Sequence, residues 1–195
     1  MYAIDHSLGQ NSPIQVSSNG WPFFVSFFFS LYNSDNFLDY MALQRILSVV
    51  ISSLTAIPIY FLCRKFFDEK FALLGSLIFV FEPRIIQNST LGITESLYIL
   101  LIVTGMVLIL SSGYKKHYLA FAVIALASTV RIEGLFLLPA FVFVFFLKNP
   151  INKENIFHIS ISVLIFILIA SAVGLYFDND SFLSRADIGT KELTD

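Results

Sequence analysis

The sequence predicts an all-α, polytopic transmembrane helix bundle of about six spans with one short interfacial helix. Of its 195 residues, 56% are hydrophobic and only 13% are charged, and 22 are phenylalanine. A soluble domain carries about 25% charged residues, and one core of this size cannot hide so much apolar surface. The apolar residues also fall in long blocks separated by short charged loops, as a bilayer requires. The net charge of −2 argues against a nucleic-acid partner. The single cysteine, Cys63, excludes an internal disulfide, and His6, His117 and His158 have no metal-ligand spacing.

Trp21–Tyr32 is apolar but shorter than the roughly 20 residues a spanning helix needs. It reads as an interfacial or re-entrant helix with Trp21 and Tyr32 at headgroup level. The first clear span covers 40–63 and is kinked at Pro58, which membranes tolerate. Two blocks follow, 71–112 and 117–148, each of which is one long helix or a hairpin. A single helix over 117–148 would be about 48 Å long at about 1.5 Å per residue, against a hydrocarbon core of about 30 Å. It would also set Arg131 and Glu133 at the midplane. Two hairpins instead put the basic loops Arg64–Lys70, Gly113–Lys116 and Lys148–Lys153 on one face, satisfying the positive-inside rule.

The expected spans are therefore 40–63, 71–84, 94–112, 117–131, 134–148 and 156–177, within one transmembrane domain over 1–195. Residues 1–39, the short 82–94 and 131–134 connections, and the tail 178–195 fall on the outer face. Because 1–20 has no export signal, an additional spanning helix is expected upstream. Asn88-Ser89-Thr90 is a glycosylation sequon on the outer face.

Charges at membrane depth are informative. Glu82, Arg84, Glu95, Arg131 and Glu133 all fall at the outer ends of the spans, and Arg45 lies in the outer half of the first. Facing a common water-filled cavity, such arginines would hold a phosphate through their planar forks, and a carboxylate would act as general base toward a hydroxyl. The same residues also read as headgroup contacts, with Glu82 and Arg84 an interfacial ion pair worth less than about 1 kcal/mol.

Three segments carry a family resemblance: Phe81-Glu82-Pro83-Arg84-Ile85-Ile86-Gln87-Asn88-Ser89, Thr94-Glu95-Ser96-Leu97, and Ser128-Thr129-Val130-Arg131-Ile132-Glu133-Gly134 with Pro139. Together with Asn19-Gly20-Trp21-Pro22 and Arg45, over about residues 2–148, they resemble membrane glycosyltransferases of the GT-C fold. The nearest branch is the dolichyl-phosphate-mannose–protein mannosyltransferase-like group. The resemblance implies a GT-C-like bundle that moves a sugar, mannose in that group, from a polyprenyl-phosphate carrier to a glycan, lipid or protein acceptor. The active face would be the outer face of the plasma membrane. By position it places Glu95 at the second acidic site of the fold, the catalytic candidate within this sequence, and Arg131 at the basic position that meets the lipid phosphate, with Arg45, Glu82 and Glu133 as further substrate-binding residues. Some members of that fold use a divalent metal, although no metal motif is present here. Tyr2-Ala3-Ile4-Asp5 resembles the stretch that follows the family's first-loop acidic motif, which holds the family's main catalytic acid, so that motif is expected upstream, Asp5 is not its equivalent, and activity is expected to need more than this sequence alone. A non-catalytic scaffold or transporter fragment is the alternative; the absence of an internal repeat weakens the transporter version.

Overall fold

The computed structural model describes residues 20–32, 34 and 36–191, with side chains described to 173. The expectations placed on Met1–Asn19, Asp5 among them, lie outside the described residues. The described residues are helical, without strands. In chain order they form α1 (Gly20–Leu31), α2 (Phe37–Leu54), α3 (Ala56–Cys63), α4 (Glu69–Val80), α5 (Pro83–Leu91), α6 (Glu95–Ile109), α7 (Tyr114–Val130), a 3-10 turn (Ile132–Phe136), α8 (Leu137–Lys148) and α9 (Lys153–Lys191).

Local chemistry accounts for the boundaries. Asn36 caps α2 by accepting a hydrogen bond from the Leu38 N–H. Pro58, expected to kink the helix, lacks the N–H that would pair with a carbonyl of the preceding turn, and the helix is interrupted three residues before it. There Thr55 separates α2 from α3, and its hydroxyl donates to the Ile51 carbonyl at 2.8 Å. Pro83 starts α5, where its missing N–H costs nothing. Gly92, with φ of 71°, ends it in the left-handed conformation.

Both hairpins form. The Lys65 ammonium donates to the Ser111 hydroxyl at 3.2 Å, and the Lys148 ammonium donates to the Leu110 and Ser111 carbonyls at 2.7 and 3.4 Å. Ser111 therefore gathers all three basic loops at one pole, and two lysines meet the carbonyl end of α6, where positive charge is favoured. Beside them Tyr114 stacks on His158 with centroids 3.6 Å apart, its hydroxyl donates to Asn155 at 3.0 Å, and the Tyr118 hydroxyl meets His158 Nδ1. This aromatic clasp ties α7 to α9.

The interior has two apolar clusters. Phe121, Ile124, Phe141, Phe145 and Phe166 join α6–α9, and Trp21, Val25, Phe29, Ile51, Leu97 and Val130 join α1, α2, α6 and α7. Around them many large apolar side chains point outward, including Phe27, Phe71, Phe136 and Phe143. Two stretches, Phe37–Cys63 and Lys153–Val173, are long and apolar enough to cross a membrane. In the same windows only 17% of residues are buried, the reverse of a soluble core helix.

Several expectations are corrected. The segment 82–94 is largely the helix α5 rather than a short loop, and 132–136 is a 3-10 turn. Helix α4 is only 12 residues long, about 18 Å at about 1.5 Å each, so the six expected spans correspond to helices without all having spanning length. Helix α9 continues to Lys191, past the apolar stretch expected to end at 177. Trp21, at the start of α1, is 5% exposed and packed into the second apolar cluster. Within the sequon, Asn88 is half-buried and Ser89 is buried with its hydroxyl on the Ile86 carbonyl, an unsuitable geometry for glycan attachment.

Gly134 illustrates how tightly the pole opposite the basic loops is built. A Cβ there would sit 2.6 Å from the Ser128 backbone N and Cα. Gly134→Ala is therefore expected to destabilise the fold by about 1–3 kcal/mol through overpacking. Thermal unfolding of the detergent-solubilised chain checks this.

Candidate functional site

At the pole opposite the basic loops, α6 begins and α7 ends side by side. Ser128 and Thr129 turn their hydroxyls back onto the Ala125 and Leu126 carbonyls at 2.7 and 2.8 Å, and the helix stops at Val130. Arg131 is extended, with φ of −145° and ψ of 133°, and the Gly134 N–H donates to its carbonyl at 2.9 Å. This turn sends the Arg131 side chain across to α6. Glu95 occupies the first turn of α6, where a carboxylate complements the helix dipole.

Arg131 lies between two carboxylates. Its Nη1 meets Glu95 Oε1 at 3.3 Å; its Nη2 and Nε meet Glu133 Oε1 and Oε2 at 2.9 and 3.4 Å. The guanidinium also lies 5.6 Å from the ring centroid of Tyr98, one turn beyond Glu95. Side-chain exposure is 32% for Arg131 and Glu95 and 53% for Glu133. The group is therefore open on its Glu133 side. The hydrogen bond from Arg131 holds the Glu133 carboxyl below the usual carboxylate range. The contribution of this pair is thus present above the unfolded Glu133 value and is lost as pH falls through the folded one.

The second oxygen of Glu95 faces elsewhere. Oε2 is buried and has no hydrogen-bond partner. Glu95 also lines a narrow cleft with room for about one water molecule, with Ser52, Thr55, Asn88 and Ser96 as its polar members and Phe79 and Ile85 as apolar walls. Behind it Ser48 and Ser96 share a buried hydrogen bond of 2.8 Å, and Gln44 donates to the Gly92 carbonyl at 2.7 Å. Gln44, Ser48 and Ser52 recur at helical spacing along one face of α2, continued by Thr55 at its end, and they let α2 approach the α5–α6 corner closely.

The structure thus brings together Glu95, Arg131 and Glu133. It does not bring in Arg45, Glu82 or Arg84. All three are exposed, and among the described residues none makes an ion pair with the cluster or with another of the three. Glu82 and Arg84 do not form the expected interfacial pair, and the stem of Arg45 lies beside Gly92. Among the described residues no three His, Cys, Asp or Glu side chains are grouped to hold a metal ion. Sequence reasoning missed Tyr98 and the hydroxyl face of α2. The available signals were the Glu-x-x-Tyr spacing of 95 and 98 and the polar repeat in an otherwise apolar helix.

A family model described as dolichyl-phosphate-mannose-protein mannosyltransferase matches residues 20–175. No curated protein and no solved structure matches the chain.

Proposed function

The chain belongs to the dolichyl-phosphate-mannose-protein mannosyltransferase family, and from that premise we propose that its outer pole transfers a sugar, mannose by the family's description, from a polyprenyl-phosphate carrier to an acceptor hydroxyl. In this reading the bundle crosses the plasma membrane with the basic pole inside and the Glu95–Arg131 pole outside. Its six spans include the short helices, whose recessed ends leave room for substrate. Glu95 takes the acceptor proton as the acceptor oxygen attacks the anomeric carbon. Arg131 holds the carrier phosphate that leaves with the bonding electrons. Arg45 and Glu82, on the rim, are left to meet the outer parts of the substrate.

The observation that carries this reading is the Glu95–Arg131–Glu133 contact itself. A general base and a phosphate ligand must face one site, whereas a scaffold has no such need. The geometry adds a condition. One guanidinium between two carboxylates is net negative and would repel a phosphate. Glu133 occupies the Nη2–Nε edge, which is the edge a phosphate would take in a two-pronged contact. Donor binding therefore displaces the exposed Glu133, while Nη1 keeps Glu95.

The test is release of polyprenyl phosphate from polyprenyl-phosphate mannose by the purified chain in nanodiscs. The result expected is turnover by the wild type, with Glu133→Gln lowering the donor KM about two- to fivefold, the scale of an exposed ion pair. An unchanged or raised donor KM in that variant would show that Glu133 does not hold the phosphate's place.

A further inference from the structure

The pole of the basic loops holds more positive charge than its own carboxylates answer. Loops 64–70, 113–116 and 148–153 carry seven lysines and arginines against Asp68 and Glu69. Glu69 is taken by Arg64 at 3.5 Å, and Glu154, just past the third loop, faces His158 at 3.9 Å and Tyr114 at 3.5 Å. Lys65 and Lys148 converge on Ser111 with neutral partners: the Ser111 hydroxyl for the first, the Leu110 and Ser111 carbonyls for the second. Among the described residues neither ammonium has a carboxylate within ion-pair distance. An ammonium carries three N–H donors, so Lys65 keeps two and Lys148 keeps one for a further acceptor. Both side chains are exposed. Two like charges brought to one residue repel, and the partial negative charge at the end of α6 offsets only part of that. Apolar side chains flank the pair. Phe66 and Phe67 follow Lys65, Leu147 and Ile151 bracket Lys148, and all four are between 61% and 77% exposed.

We propose that Lys65 and Lys148, at the end of α6, form a binding site for the phosphodiester headgroup of one anionic phospholipid. One non-bridging phosphate oxygen accepts from Lys65 and the other from Lys148, each in a charge-assisted hydrogen bond. The acyl chains lie along the exposed apolar side chains beside the pair, which a free phosphate would leave in contact with water. The uncompensated charge of the loops favours a lipid of net negative charge, because the cationic end of a zwitterionic headgroup would meet further lysines. Lys65 belongs to the loop between α3 and α4, Ser111 to the loop after α6, and Lys148 to the end of α8. A bound headgroup therefore ties these three parts of the bundle together and stabilises the fold in proportion to its occupancy. The site lies at the pole opposite Glu95 and Arg131 and depends on neither.

Native mass spectrometry of the detergent-solubilised chain tests this, with phosphatidylglycerol and phosphatidylcholine of the same acyl chains titrated in turn. The first phosphatidylglycerol is expected to bind about twentyfold more tightly than the first phosphatidylcholine, at about fivefold per lysine. Lys65→Gln and Lys148→Gln should each lower phosphatidylglycerol affinity about fivefold and leave phosphatidylcholine affinity unchanged. Lys116→Gln removes an exposed charge of the same loops outside the pair, and it should leave both affinities unchanged. Lys148→Gln also gives up two bonds to the end of α6, so if that variant fails to fold, Lys65→Gln, which loses only a bond to a hydroxyl, decides. Equal affinities for the two lipids overturn the proposal. An equal loss in Lys116→Gln would mean a diffuse attraction to the loops, which also overturns it. Glycerol 3-phosphate binding as tightly as phosphatidylglycerol would make this a site for a soluble phosphate and overturn the assignment to a lipid.

Discussion

Replacing Glu95 with glutamine is expected to lower sugar transfer about 10²–10⁴-fold, the range for loss of a general base. The exchange keeps size and lets the side-chain oxygen still accept from Arg131 Nη1, so the fold and the Arg131 position should survive. What is lost is the capacity of the buried second oxygen to take a proton. Because the base acts in the chemical step, the loss should fall on kcat, with donor KM little changed. A steady-state assay that separates the two parameters, paired with a thermal unfolding curve, checks this. A loss confined to donor KM would assign Glu95 to binding.

Arg131→Lys should lower kcat/KM by about 10²–10³-fold, the scale for removing one donor to a developing charge. The charge stays, so Glu95 and Glu133 keep a cation between them. The planar fork does not stay, and neither does the guanidinium face over Tyr98. If the arginine binds phosphate through its fork, lysine should raise donor KM and lower kcat together. If the residue only neutralises Glu95, lysine should replace it with little loss.

The sequence made the helical class readable because its signal is compositional: charge is scarce and confined to loops. Hairpin placement followed from Arg131 and Glu133, which are too costly at the midplane, and from the positions of the basic loops. In the structure Lys65, Ser111 and Lys148 meet at one pole. Within the site, Glu95, Arg131 and Glu133 were legible as charges out of place. The rest was hidden for physical reasons. The burial of Trp21 depends on the approach of α1 to the end of α7, which linear spacing does not show. Helix α5 is polar enough to read as a loop, yet Pro83 at its start and Gly92 at its end make it a helix. Arg45, Glu82 and Arg84 share an end of the bundle with the site without sharing its contacts, which linear spacing does not distinguish. The cleft arises from four helices, and its serines look like ordinary packing residues in any one of them.

Trp21, the only tryptophan, is buried beside Val130 and therefore close to the Arg131 turn. Its fluorescence, titrated with polyprenyl monophosphate in nanodiscs, tests most directly whether this pole binds the carrier lipid through Arg131. The wild type should give a saturable change, Glu133→Gln should bind more tightly, and Arg131→Lys should bind more weakly. Equal affinities in the three proteins, or no saturable response in any of them, would contradict a phosphate site at Arg131 and the transferase account built on it.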